Sequence, residues 1–448
     1  MTGSTSSSDF PTNNAFQPVS AGNFDVFVAK FNSRGALVFS TYFGGTAADS
    51  GSAIAVDSAG NSYITGYTFS GNFRIKNAYQ DSKNGDTNAF ITKFNSNGSL
   101  VFSTYLGGQS SGWPSYYQGT GVAVDNTGDC FVTGWTDDGF PTKNAYNSTY
   151  GGQGDIFVAK FSFSGKLIFN TYFGGSSTDF ATSIAVDSAG NSYITGYTKS
   201  TNFPTKHAYN STYGGWSNVF VSKFSSTGKL IFSSYFGGKY EDIGSSIAVD
   251  SAGNSYITGY TKSANFPTKH SFNDTFSGEQ DIFVTKFDST GGLVFSTFLG
   301  GGNSDFNIDI AVDRSGNSYI TGPIDSNNFP FTRGYNDTRI NHDDFFIVKF
   351  SPFSSSSPKN QFIYQIEIFI LFSGALVGIS LVILYSIVEY RKYSKIKNSP
   401  LSENSVSFKF FLKRKLVRHS KQLKSSSRPT DKIFDLVDEI EKENTPDD

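Results

Sequence analysis

Short runs in which apolar and polar residues alternate recur along the first 350 residues of the chain. In Asp155–Phe161 (DIFVAKF), Phe157, Ala159 and Phe161 fall on one side, with Ile156, Val158 and Lys160 on the other. A period of two identifies a β-strand, and apolar residues on both sides predict a sheet covered on both faces. Three further run types behave alike: Ile184–Asp187 (IAVD), Asn191–Thr198 (NSYITGYT) and Leu167–Gly175 (LIFNTYFGG). Tight turns such as S-A-G-N and S-S-T-G separate them, with the residue types that turns require.

The runs recur in a fixed order. Ser183–Ser200 (SIAVDSAGNSYITGYTKS) returns unchanged at Ser246–Ser263. The Asp of the AVD element falls at Asp57, Asp125, Asp187, Asp250 and Asp313, at spacings of 68, 62, 63 and 63. The [DN]-x-F-[VI]-x-K-F element ends at Phe31, Phe94, Phe161, Phe224, Phe287 and Phe350, and F-x-x-[YF]-[FL]-G-G begins at Phe39, Phe102, Phe169, Phe232 and Phe295. A 63-residue unit of four strands, buried on both faces, fits an all-β fold, the β-propeller, whose blades stack on their neighbours. A linear β-solenoid is the alternative, though its coils are usually much shorter.

IAVDSAGNSYITGYT, then NFPT, DIFVAKF and GKLIFNTYFGG, in that order, resemble the SBBP-type β-propeller repeat family over roughly residues 1–350. The resemblance implies a surface or secreted repeat protein of bacteria or archaea, and it speaks to fold more than to activity. Residues 53–301 give four complete blades, and 308–350 give three strands of a fifth. The missing outer strand is expected from Leu37–Phe43, closing a five-bladed ring; an incomplete or six-bladed ring is the alternative. Met1–Thr5 aligns with Ile194–Thr198, the middle of a second strand. A start inside a blade, with no signal segment before it, leads to the expectation that the natural N-terminus lies upstream.

Composition agrees with many strands and turns: Phe and Tyr number 70 together, Gly 46, and Met, Cys and Trp only 5 together. The single Cys130 excludes an intramolecular disulfide and a cysteine-built zinc site. The net charge of −2 hides an asymmetry. Ile368–Val388 is a 21-residue uncharged run, long enough for a transmembrane helix, after a linker at 351–367. Residues 389–428 then hold 12 Lys or Arg against 2 Glu, whereas residues 1–361 hold 22 basic and 27 acidic side chains. That bias places the propeller outside the cell membrane, single-pass, with the tail in the cytoplasm. Phe408, Phe411, Leu412 and Leu416 among basic residues suit an inner-leaflet helix, or simply a stop-transfer anchor. Residues 429–448 reverse sign, with 8 acidic and 2 basic, and form an acidic, helix-compatible tail. Gly374 and Gly378 form G-x-x-x-G, a motif through which two such helices can dimerise.

Candidate chemistry is sparse. Asn97, Asn147, Asn210, Asn273 and Asn336 open N-x-[ST] sequons, which suits glycosylation outside the cell; duplication of one Asn-rich turn is the plainer reading. Asp187 and its copies precede a Gly-Asn turn and are expected to accept backbone N–H bonds. Asp49, Asp179, Asp242 and Asp305 enter the inner strand and are weak cation candidates, with spacing unlike an oxygen-ligand loop. His207 and His270 share one repeat position, which suits a surface turn better than ligation.

A local function should sit where repeats differ. The long loop Gln109–Thr120 holds Trp113, Tyr116 and Tyr117, and Trp135, Asp137 and Asp138 interrupt another copy. Exposed rings there would stack on a sugar or grip a protein. Gly108–Gly112 matches G-x-S-x-G around Ser110, yet no helix-forming segment follows, so no catalytic residue is assigned. The sequence calls for no cofactor, and a mildly acidic ectodomain disfavours nucleic acid. The resulting expectation is an adhesion or binding module for extracellular glycan or protein ligands. The alternatives are a polysaccharide hydrolase or lyase, for which Asp137–Asp138 and Glu241–Asp242 are the leading carboxylates, and a receptor signalling through its tail.

Overall fold

Turn chemistry sets the frame. In the fourth repeat Gly190 takes φ +75°, the left-handed region that glycine enters without penalty. Its N–H donates to the Asp187 carbonyl at 3.0 Å, and Asp187 Oδ1 accepts the Ala189 and Asn191 amides at 3.0 and 2.9 Å. The repeated Asp therefore holds the turn, as its position before Gly-Asn implied.

The structure, a computed structural model, describes residues 1–109, 115–301, 308–324, 329, 344–351 and 365–371. Two units divide the chain, Met1–Ser380 and Leu381–Asp448; the second lies outside the described residues. In the first unit, strands form six antiparallel sheets. The first holds β1 (Thr2–Thr5), β2 (Asp25–Phe31) and β3 (Leu37–Phe43). The second runs β4 (Asp49–Val56), β5 (Ser62–Thr68), β6 (Asn88–Phe94), β7 (Leu100–Leu106), and the third β8 (Tyr117–Val124), β9 (Cys130–Thr136), β10 (Asp155–Phe161), β11 (Leu167–Phe173). The fourth is β12 (Asp179–Val186), β13 (Ser192–Thr198), β14 (Asn218–Phe224) and β15 (Leu230–Phe236). In the fifth come β16 (Asp242–Val249), β17 (Ser255–Thr261), β18 (Asp281–Phe287) and β19 (Leu293–Phe298). The last holds β20 (Asp309–Val312), β21 (Ser318–Ile324), β22 (Asp344–Ser351) and β23 (Gln365–Leu371). These are propeller blades of four strands, except the first, which has three.

Two expectations change. Leu37–Phe43 does not complete the last blade: it pairs with β2 inside the first. The outer place in the last blade goes to β23, paired antiparallel to β22 from Ser351↔Gln365 to Phe345↔Leu371. Gln365–Glu367 is thus strand rather than linker. Ile368–Leu371, expected to open a membrane helix, also lies in this sheet; the rest of that run lies outside the described residues. The pattern in QIEIFIL places Ile at every second position, a strand period that the long apolar window hides. Among the described residues no helix is long and apolar enough to cross a membrane.

Inner strands pack in series, β4, β8, β12, β16 and β20, and β1, which holds a second-strand place, packs on β4. Five apolar clusters fill the successive gaps between the six sheets. Lys side chains of the third strands cross the same gaps. Lys223 Nζ lies 4.7 Å from the Tyr193 ring centre and 3.8 Å from Asp187 Oδ2, and it donates to the Ser289 carbonyl of the next blade at 3.4 Å. The pairing is well shielded, since burial lowers the Lys223 pKa against the pull of Asp187. Lys93, Lys160 and Lys286 cover Tyr63, Phe131 and Tyr256 alike, at 4.6–4.8 Å. Lys30 and Lys93 also donate to carbonyls of the next blade, at Gly60, Ser96 and Phe163, so in three repeats the motif's Lys is an interblade strut.

In the first five blades the outer strand is bridged by its own blade's long loop. Lys206 exchanges backbone hydrogen bonds with Ser233 of β15 at 3.0 and 2.8 Å, and Tyr235 N donates to the Asn210 carbonyl at 3.0 Å. Lys76, Lys143 and Lys269 repeat the bridge on β7, β11 and β19. The next residue turns left-handed, with φ of 44–48° at Asn77, Asn144, His207 and His270. Asn tolerates this conformation best, and His is among the residues enriched there. The two histidines thus serve a turn. The bridge pairs edge groups of these five outer strands, and unpaired edge groups are the usual route to aggregation.

Candidate ligand-binding site

Strand direction gathers the variable segments. Inner strands begin, second strands end, third strands begin and fourth strands end on one side of the blades, so that side carries the long loops. The tight turns lie opposite. On the loop side, Tyr116 precedes β8 and is 41% exposed, with its ring 6.3 Å from that of Trp135 at 35°. Tyr116 N donates to Asp137 Oδ2 at 2.8 Å, and Asp137 N returns a bond to the Tyr116 carbonyl at 3.3 Å. Trp135, at the end of β9, is half-buried against Gly154, where a Cβ would stand 2.2 Å from Nε1. Burial raises the Asp137 pKa, offset by the Tyr116 amide and reinforced by nearby Asp138. The result is an aromatic ledge beside a carboxylate.

Tyr117 is not part of that ledge. It is fully buried, stacks on Phe140 at 5.9 Å, and donates its hydroxyl to the Asp138 carbonyl at 2.6 Å. As the first residue of β8 it takes the place that Asp179 and Asp242 hold in later blades, which points it inward. Trp113 and Ser110 lie outside the described residues.

The aspartates named as weak cation candidates are also interior where described. Asp49, Asp179 and Asp242 are each fully buried and accept from their own loop. Asp179 Oδ2 takes the Gly175 amide at 2.7 Å and the Ser200 hydroxyl at 2.8 Å, while Asp49 and Asp242 bond Thr68 and Thr261. They cap a strand start, and Asp305 lies outside the described residues. Among the described residues no group of three or more His, Cys, Asp or Glu is placed to hold a metal.

Sequon asparagines also have local work. Asn147 and Asn210 accept the amides of Thr149 and Thr212 at 3.0 and 2.9 Å and donate back to the carbonyls of the same threonines. Asn273 accepts the Thr275 amide at 3.0 Å. This is an Asx turn copied with the repeat. Asn97 is exposed in the turn after β6, and Asn336 lies outside the described residues, as do Gly374 and Gly378.

One pair on the loop side escaped the sequence reading. Trp216 is 73% exposed and meets Tyr240, 45% exposed, edge-on at 6.0 Å. The two lie 24 residues apart in different loops, so nothing local links them. A usable signal existed all the same, because both replace small or polar residues found in the other copies.

Comparison with solved structures finds the WD40 domain of Neurospora crassa Pan2, 11% identical, covering 61% of this chain and 75% of that one at a TM-score of 0.28. A protein of unknown function from Dyadobacter fermentans is 7% identical, covering 76% of this chain and 96% of that one, at 0.36. No curated protein matches the sequence. Four stretches, residues 38–74, 168–204, 231–267 and 294–330, match the model of the SBBP beta-propeller repeat, and each spans an outer strand and the two strands that open the next blade.

Proposed function

We propose that the chain is a cell-surface binding module whose blades hold a loop face against an extracellular glycan or protein. The observation that carries this reading is the Tyr116–Trp135–Asp137 ledge. An exposed ring and a carboxylate, tied by two backbone bonds, stand where one repeat departs from the others. Rings and a few fixed polar groups are what small-ligand sites use, and preorganised loops lose little entropy on binding. Anchoring by the apolar run ending at Val388 completes the proposal. With Ile368–Leu371 in a strand, the 17 residues 372–388 remain, at the lower end of a helical span.

In a glycan and surface-protein screen with the full chain, Tyr116→Ala is expected to weaken the best ligand about ten-fold, the size of one lost hot-spot ring. Unchanged affinity in a variant that melts like the parent would rule out the ledge. For the anchor, the full chain should pellet with membranes and be released by detergent but not by salt; recovery in the soluble fraction would refute it.

A further inference from the structure

We propose that the boundary between the fourth and fifth blades is a carbohydrate site built on Trp216, Tyr240, Glu241 and Lys262. The inference rests on the binding-module reading and names a ligand class and a second place on the same face.

The repeat supplies the first argument. Where Trp216 stands, the other copies have Asn23, Asp86, Gln153, Glu279 and His342. Tyr240 replaces Ala47 and Ser177, and Glu241 replaces Ala48 and Thr178. Three departures from a copied pattern, in two separate loops, meet at one spot. Each alone is an ordinary surface exchange.

The loops are also built to meet. Gly215 lets the Trp216 loop approach, since a Cβ there would lie 2.5 Å from the Lys239 carbonyl. Asp242 N donates to the Ser217 carbonyl at 3.1 Å, and Lys262 N to the Glu241 carbonyl at 2.8 Å, so three segments share one short ladder. Tyr240 N donates to Ser263 Oγ at 2.9 Å and the Tyr213 hydroxyl to the Trp216 carbonyl at 2.7 Å. Backbone on both sides is fixed while the rings project.

Polar groups then frame the rings. Glu241 Oε1 accepts from Lys262 Nζ at 2.8 Å and from the Tyr260 hydroxyl at 3.4 Å. The Lys262 and Glu241 side chains keep 44% and 33% of their surface, so both remain open to ligand hydroxyls. At their exposures of 73% and 45% the two rings offer roughly 180–300 Å², well short of the about 800 Å² per partner of a stable protein interface. Flat apolar faces beside an acceptor and a donor suit a sugar ring, whose C–H face is apolar and whose edge is hydroxylated.

The test titrates the full chain with soluble β-1,4-linked hexasaccharides of glucose and of N-acetylglucosamine, following heat and tryptophan quenching by acrylamide. One of them should bind saturably and shield a tryptophan. Trp216→Ala and Glu241→Gln should each weaken binding ten-fold or more, with Phe163→Ala, on the opposite turns, as the unaffected control. Trp216 is exposed, so its variant should melt like the parent. Equal affinity in both site variants overturns the proposal. Loss through Tyr116→Ala alone also overturns it, while leaving the binding-module reading in place. Absence of binding by either hexasaccharide at millimolar concentration overturns it too; a protein ligand that then depends on Tyr116 would still uphold the module.

Discussion

Phe173→Ala lowers the unfolding free energy by about 3–5 kcal/mol, the range for truncating a buried phenylalanine. Phe173 ends β11, is fully buried, and meets Phe203 at 4.8 Å and Phe224 at 5.0 Å, both edge-on and both from the following blade. Phe43 and Phe236 make the same contacts with Phe73 and Phe94, and with Phe266 and Phe287. The lost ring leaves a cavity between sheets that backbone ladders keep apart, so the gap has little means to collapse. Phe163, 60% exposed on a turn, should cost under about 0.5 kcal/mol when truncated. Denaturant titration of both variants checks the pair. A Phe173→Ala loss below about 1 kcal/mol would mean that blades hold together mainly through their ladders and struts.

The second large effect is a fold that weakens as pH rises from about 4 to about 7. Asp155 and Asp179 are fully buried and flank Gly174, where a Cβ would come within 2.6 and 2.8 Å of their oxygens. Burial pushes Asp155 up to about 7; the Gly151 amide pulls it down and Asp179 pushes it further up. Burial likewise carries Asp179 and Asp242 to about 6, against the hydrogen bonds they accept. These carboxyls bind protons more tightly folded than unfolded. Their stabilisation is complete below the unfolded value near about 3.9, and it is lost as pH climbs through the folded values, at up to about 1.4 kcal/mol per pH unit for each group. Asp57, Asp250 and Asp288 behave oppositely: burial raises them, but the bonds they accept prevail and hold them low. They withdraw support as pH falls below about 4, so stability peaks between the two regimes. Melting at pH 5, 6, 7 and 8 should show a decline that levels off above about pH 7, and Asp155→Asn should flatten it and raise the pH 8 value. The repeats make this exchange themselves, with Asn88 and Asn218 at the equivalent position. In the latter, Asn218 Nδ2 donates to the Gly238 carbonyl at 3.2 Å beside Asp242. A melting temperature that rises from pH 5 to 8 would refute the assignment.

Strands and turns were legible because they are local: DIFVAKF alternates within seven residues, and S-A-G-N closes within four. The blade repeat was legible because it is copied. What crosses between blades was not. Tyr117 looked like a loop aromatic, yet it opens an inner strand and is buried against Phe140; Asp155 and Asp179 meet only once two blades stack. Asn147 and Lys223 are each plain in sequence, but their jobs as a turn acceptor and a strut depend on partners 2 and 66 residues away. In β23 the strand period was present in QIEIFIL and lost to a longer apolar run. The candidate site was half legible. Tyr116, Trp135 and Asp137 stood out as departures in one repeat, whereas Trp216 and Tyr240 required comparing two loops at once.

The loop bridge from Lys206 to Ser233 has a consequence for descent. A unit that seals its own outer edge can be copied in tandem without creating a sticky intermediate, because every added copy brings its own seal. The unchanged 18 residues at 183–200 and 246–263 record such a duplication with little divergence since. An array of such units can change length by whole copies, and a copy that departs from the pattern at a boundary, as around Trp216, leaves the seals of the others intact.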